Sequence, residues 1–567
     1  MNQPQQNPFG KVESVDTGNV VIKVIEEQKL NSIQVNNLLR IRSTKTGEAI
    51  IGLVIKIMRK SSDKVEPDNP EEIIVENVVK ACLVGTLLDK YGTKSNVFKR
   101  TLETVPSLDA DCFLIEGEEL SQFMKSLSVG DEEKEKSLNI GRYVISEDAK
   151  TYLDGNKFFQ RHAVIVGSTG SGKSWTVAKI LEKSSQLQSV NSIVFDIHGE
   201  YKPLSSLDNT TLLKVAGPTD NADNEKIIYL PYWLLSYEEI MAMMLDRSDQ
   251  NAPNQARALF DLVINYKKQK LKENDKQDIL NNFTIDSPVP YSIDEVLKEL
   301  DKLDTERVQG STSKGKAGPL NGKLTRFIQR LKSKQSDKRL NFLFNNNSIL
   351  QKHEWLENLV EKLMDFNNKK GNKIVDFSEV PSDILPLITG LVTRLIFSVQ
   401  QWTDEDKRHP IALFCDEAHL YIPTNTEASS IEERGLYNFQ RVAKEGRKYG
   451  LSLVVISQRP ADVSKTVLSQ CGNFISMKLS NPDDQNVIRR LFPDSLGNFA
   501  ELLPILDIGE SLIVGDACLL PSRVKIDEPK IKPDSATIDF WDEWKKDKQE
   551  KGIKEALEDL RRQSKSK

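Results

Sequence analysis

The stretch RHAVIVGSTGSGKSWTVAKILEK, Arg161 to Lys183, limits the fold of this chain more than any other. Gly167, Gly172, Lys173 and Ser174 stand at the spacing of a phosphate-binding loop. An apolar run, Ala163 to Val166, precedes the loop and reads as a buried parallel strand. The segment after it has helical apolar spacing at Val177, Ile180 and Leu181. A strand, a glycine loop and a helix in this order turn backbone N–H groups and a helix N-terminus toward phosphates. Lys173 then reaches the β- and γ-phosphates, and the Ser174 hydroxyl ligates Mg²⁺. Gly167, Ser168, Thr169, Gly170, Ser171, Gly172, Lys173, Ser174 and Trp175 are the expected nucleotide-binding residues, with ATP and Mg²⁺ as cofactors.

A second stretch, GSTSKGKAG from Gly310 to Gly318, shows that spacing alone is insufficient. Gly310, Gly315 and Lys316 are correctly placed, but Ala317 stands where the hydroxyl belongs and no strand precedes them. The expectation is a Gly/Ser/Lys-rich flexible loop.

Alternation of helical and strand periods surrounds the first loop, with NSIVFDIHGEY, PIALFCDEAHLYI and LSLVVIS as further buried strands. That pattern predicts an α/β core, a doubly wound and mainly parallel sheet covered by helices. Before it, short β-type runs between residues 9 and 115 predict a small antiparallel barrel. Between residues 238 and 350, helical periods such as SIDEVLKELDKL predict a helical insert. The expected organisation is a barrel over 1–118, a linker over 119–150, core over 151–240, helical insert over 241–350, core over 351–528 and a C-terminal brace or tail helix over 529–567.

A chain of 567 residues exceeds one core. It has no run of about 18 apolar residues and no basic-then-apolar leader, so no membrane partner is expected. Five scattered cysteines, none in a C-x-x-C, indicate neither zinc nor a disulfide framework, and a cytoplasmic location is the default. A net charge of −5 disfavours a surface that is basic throughout, but says nothing against a local basic stripe.

Asp416 and Glu417 directly follow the apolar positions Ile411 to Phe414 and Cys415. Beside a phosphate loop, such strand-end carboxylates hold magnesium and polarise the attacking water, and these roles fall to Asp416 and Glu417 respectively. Gln458 ends the following strand, as a γ-phosphate sensor or as part of a turn set by Pro460. Arg447, near the helix end at Gly450, and Arg161, before the first strand, are candidate arginine fingers, although a cation at a helix C-terminus also favours the helix dipole. Asp196, His198 and Glu200 lie at another strand end, and Glu200 is the functional candidate, positioning water or coupling the site to a substrate channel.

The motifs RHAVIVGSTGSGKSWT, FDIHGEY, VDFSEVPSDILPLITGLVTRLIF, LFCDEAHLYIP, VAKEGRKYGLSLVVISQRPADVS and GESLIVG together resemble the HerA branch of the HerA/FtsK ring translocases. The resemblance implies a RecA-like core, an N-terminal HAS-type β-barrel and a homohexamer that threads double-stranded DNA. It also implies a partner nuclease or NAD-consuming effector, in DNA end processing or antiviral defence. The same site residues would serve a ring scaffold that regulates an effector without moving DNA. DEAH is also a motif of superfamily-two helicases, but about one hundred residues remain after LSLVVIS, too few for their second motor domain.

Overall fold

The computed structural model describes residues 7–563 apart from 26, 64–72, 89–96, 128–136, 223, 309–315, 365–370, 425–428, 536–537 and 547–551. In chain order the strands are β1 (Gly10–Val15), β2 (Asn19–Val24), β3 (Leu38–Arg42), β4 (Glu48–Asp63), β5 (Ile73–Leu88), β6 (Val97–Lys99), β7 (Asp111–Leu114), β8 (Ser137–Tyr143), β9 (Ser146–Asp154) and β10 (Ala163–Val166). They continue with β11 (Ser192–Asp196), β12 (Thr210–Val215), β13 (Ile227–Ile228), β14 (Arg307–Val308), β15 (Lys316–Ala317), β16 (Asn372–Asp376), β17 (Ile411–Cys415), β18 (Leu451–Ser457), β19 (Asn473–Met477), β20 (Glu510–Gly515) and β21 (Ser522–Ile526). Two compact units result. The first comprises Met1–Ser184, Val454–Ala461 and Leu468–Lys532, and the second Ser185–Leu453, Asp462–Val467 and Pro533–Lys567.

The first unit opens with the expected barrel. Alternate burial along β1 and β2 gives each strand one apolar face. Strands β2, β1, β7, β3, β4 and β5 pair in that order, and β2 pairs again with β5, which closes six strands into a barrel. Register shifts at Ile51/Gly52 and Val54/Lys56 supply the local bends that closure requires. Val20, Ile22, Leu39, Ile41, Ile50, Val54, Val79 and Ala81 form its core.

The same unit holds the phosphate-loop strand β10, whose four residues are all buried. It runs parallel to β19 and to Val454–Ser457 of β18, as a strand covered on both faces does. Beyond β19 the order is β20, β21, β8 and β9, all antiparallel, so the parallel arrangement expected from the sequence gives way to a mixed sheet.

In the second unit β13, β12, β16, β11 and β17 are neighbours, all parallel. Two helices over them, Leu385–Trp402 and Ser430–Glu445, touch backbone to backbone: a Cβ on Gly390 would lie 2.6 Å from the Gly435 Cα. The segments read as an insert are helical, at Tyr237–Met244, Ala252–Glu273, Ile293–Thr305 and Thr325–Ser336. Arg394 ties this region to the helices over the sheet, donating to Glu239 at 2.9 and 2.8 Å. Of the near-match loop, Lys316 and Ala317 form the exposed β15 against β14, while Gly310 and Gly315 lie outside the described residues. The tail contains the helices Phe540–Trp544 and Ile553–Arg562. All five cysteines are buried and none is in a disulfide. Among the described residues no helix is long and apolar enough to cross a membrane.

Candidate nucleotide site

The phosphate loop is held mainly by backbone. Ser168 N–H donates to the Lys478 carbonyl at 2.8 Å, and Gly509 N–H donates to the Ser171 carbonyl at 2.9 Å. Gly170 and Gly172 have φ of +75° and +110°, conformations that disfavour any side chain. A Cβ on Gly167 would meet the Met477 Cβ at 2.8 Å and would also strike the Ser171 hydroxyl. Lys173 is buried, with its ammonium 3.2 Å from the Ser168 carbonyl. The helix Lys173–Ser184 begins at the loop.

Gln458 follows β18, and the register Val166↔Ser457 brings it beside the loop. The Thr169 hydroxyl donates to the Gln458 side-chain carbonyl at 2.6 Å, so two residues picked out in distant motifs meet. Arg161 precedes β10, at the opposite end of that four-residue strand from the loop, about 13 Å along it. Its guanidinium lies 3.6 Å from Asp516. The loop of its own chain therefore does not gather it.

In the second unit Asp416 and Glu417 are 4% and 7% exposed, at the end of β17. Glu417 has φ 45° and ψ 44°, a left-handed conformation costing a non-glycine residue about 1–2 kcal/mol. Strain of this kind accumulates at functional positions. Its carboxylate is 3.2 Å from the His419 Nδ1, a contact the sequence reading did not anticipate.

Strand order adds two further carboxylates. Asp196 pairs in register with Asp376, and Phe195 with Cys415, so β16, β11 and β17 end in a row, Asp376–Asp196–Asp416. The rings of Phe195, Phe377, Tyr421 and Phe439 pack together in this region, Phe195 to Phe377 at 5.3 Å and Tyr421 to Phe439 at 5.5 Å. Burial, reinforced by Glu417, Asp196 and Glu200, holds the Asp416 carboxyl well above the usual range. Burial also pushes Asp196 up to about 7, with Asp376 adding to the rise and the Tyr201 and Glu200 N–H groups opposing it. Asp196 accepts those N–H groups at 2.9 and 3.0 Å, which fixes the turn bearing the half-buried Glu200. His198 is exposed. Arg447 is exposed in the turn Gly446–Tyr449 that ends the helix Ser430–Glu445, and among the described residues its side chain has no hydrogen bond or ion pair.

Taken unit by unit, the glycine loop of the first suits phosphates, and in the second a buried carboxylate crowded by like charges would be stabilised in its ionised form by a divalent cation.

Residues 138–396 match the family model "Helicase HerA, central domain". Through this segment the chain is similar to HerA helicases. It is 28% identical over 428 residues to the DNA double-strand break repair helicase HerA of Saccharolobus solfataricus, covering 74% of each chain. A probable helicase of Methanocaldococcus jannaschii is 25% identical over 414 residues, 72% of this chain and 71% of that one. Among solved structures, VirB4 of Thermoanaerobacter pseudethanolicus overlaps 69% of this chain and 96% of its own, with 16% identity and a TM-score of 0.47. This chain is an ATP-hydrolysing enzyme.

Proposed function

We propose that this chain is a DNA translocase or helicase that acts as a homohexamer on double-stranded DNA, driven by ATP hydrolysis. In this reading Gly167 to Trp175 hold the nucleotide and Lys173 contacts its β- and γ-phosphates. Ser174 and Asp416 would hold Mg²⁺, which when bound neutralises charge on the phosphates. Glu417 polarises the attacking water, held in its strained backbone with His419 beside its carboxylate. Gln458 senses the γ-phosphate through its placement by Thr169. Glu200 positions water or relays the state of the site to the DNA channel. Arg447, exposed and unpaired among the described residues, supplies positive charge to the site of a neighbouring subunit. Arg161 is a second such arginine. A partner nuclease or NAD-consuming effector completes the system, in DNA end processing or antiviral defence.

The observation that carries the DNA reading is the match along 74% of the chain to a relative named as a DNA repair helicase. Steady-state phosphate release with and without linear duplex DNA tests it. Duplex should stimulate turnover, and Glu417→Gln should bind ATP yet lower turnover by about 10²–10³. An intact ring whose turnover ignores DNA would refute translocation and favour an ATP-dependent scaffold that regulates an effector.

A further inference from the structure

After β21 the chain turns back along the phosphate-loop helix Lys173–Ser184, and three residues of that helix receive it. Trp175, Lys179 and Glu182 stand at i, i+4 and i+7, on one helical face. Lys179 and Glu182 are 7% and 3% exposed and pair with one another at 3.2 Å. Buried charges persist where their remaining hydrogen-bonding capacity is satisfied. Here the segment Asp527–Lys532 satisfies it: the Lys179 ammonium donates to the Glu528 carbonyl at 3.2 Å, and Lys530 N–H donates to the Glu182 carboxylate at 2.6 Å. Pro529, between those contacts, is buried. The segment ends with the Lys532 ammonium 4.6 Å from the Trp175 ring centroid and 3.1 Å from the Glu528 carboxylate. Trp175 directly follows the magnesium hydroxyl of Ser174, in the helical turn whose N–H groups face the phosphates.

We propose that Asp527–Lys532 is a strap that fixes the first turn of the phosphate-loop helix, and that Lys532 is a positioning residue for nucleotide binding acting through Trp175. The strap is specified by the helix it covers. It spends the bonds of a buried ion pair at one end and closes at the other with an exposed cation over an aromatic face. Loss of the Lys532 cation frees the Trp175 turn and loosens the N–H groups that meet the phosphates. The proposal rests on the nucleotide reading of the loop.

The test is ATP binding and steady-state turnover of the full chain carrying Lys532→Ala or Lys532→Arg. Alanine should raise Kd and KM together by about two- to ten-fold, the loss appearing in binding rather than in kcat, and arginine, which keeps the cation, should restore wild-type values. Hydrogen exchange of the amides following Trp175 should quicken in the alanine variant alone. Unchanged ATP affinity in Lys532→Ala, or arginine behaving as alanine does, overturns the proposal. Lys173→Ala is the separate control: if wild-type ATP binding survives it, the nucleotide reading of the loop fails, whatever Lys532 does.

Discussion

The contact between Thr169 and Gln458 lends itself to a quantitative test, because one hydrogen bond of 2.6 Å joins the two side chains. Thr169 is exposed at the loop, so this neutral bond is worth about 1 kcal/mol against competition from water. Removing its donor with Thr169→Val should therefore lower the ratio of placed to unplaced Gln458 by about five-fold, and kcat at saturating ATP should fall by up to about that factor. Gln458→Leu deletes the sensor itself and should cost about 10²–10³ in kcat, the scale seen when one preorganised polar group is removed from a transition state. If Thr169 acts through Gln458, the double variant should turn over no more slowly than Gln458→Leu alone, and the cycle should be non-additive by about 1 kcal/mol. The assay is phosphate release with all four proteins at matched nucleotide occupancy, confirmed by a fluorescent ATP analogue. Multiplicative losses in the double variant would refute the placement of Gln458 by Thr169. Wild-type kcat in Gln458→Leu would remove Gln458 from the reaction altogether.

Two further predictions follow from separate parts of the molecule. Arg447→Ala subunits and Lys173→Ala subunits should each be inactive in turnover, while mixing them should restore a fraction of activity at interfaces that pair an intact loop with an intact arginine; no recovery at any ratio would sink the trans role. Gly435→Ala should lower the thermal midpoint of the second unit even though alanine favours a helix by about 1 kcal/mol over glycine, because its Cβ would lie 2.6 Å from the Pro386 carbonyl carbon and overpacking typically costs about 1–3 kcal/mol. An unchanged or raised midpoint in scanning calorimetry would show that the two helices separate at no cost.

What the sequence disclosed was local, and what it withheld depended on strand order. The phosphate loop was legible because its strand, glycines and helix are contiguous, and the barrel because period-two burial in β1 and β2 is written in successive residues. Gln458 was legible as a strand end, but its hydrogen bond to Thr169 required β18 to lie beside β10. Nothing in VDFSEV says that β16 pairs with β11 and sets Asp376 level with Asp196. The backbone groups of Lys478 and Gly509 that hold the loop leave no trace in residue type, since any residue presents a carbonyl and glycine marks only the turn. Lys532 carries no local signal of its contact with Trp175. The signal that was available lay in the helix instead, where a lysine and a glutamate at positions 179 and 182 follow an aromatic at 175 on a face that is otherwise expected to be apolar or solvated.

Within the row Asp376–Asp196–Asp416, one aspartate of three is proposed to hold the cation. Asp196 spends its two oxygens on the Glu200 and Tyr201 N–H groups, and Asp376 accepts the Ser378 N–H at 2.8 Å, so both fasten the turns that follow their strands. Lys214, beside Asp376 in the strand order, is itself held by Asp220 and Glu379 at 3.0 and 2.8 Å, and its charge is shared between them. Asp416 is buried and crowded by Glu417, Asp196 and Glu200, so its ionised form is costly. A divalent cation held by Asp416 would offset that cost and would also favour the ionised form of Glu417, the form that can polarise water. On this proposal Asp416→Asn should impair turnover more than it impairs nucleotide affinity.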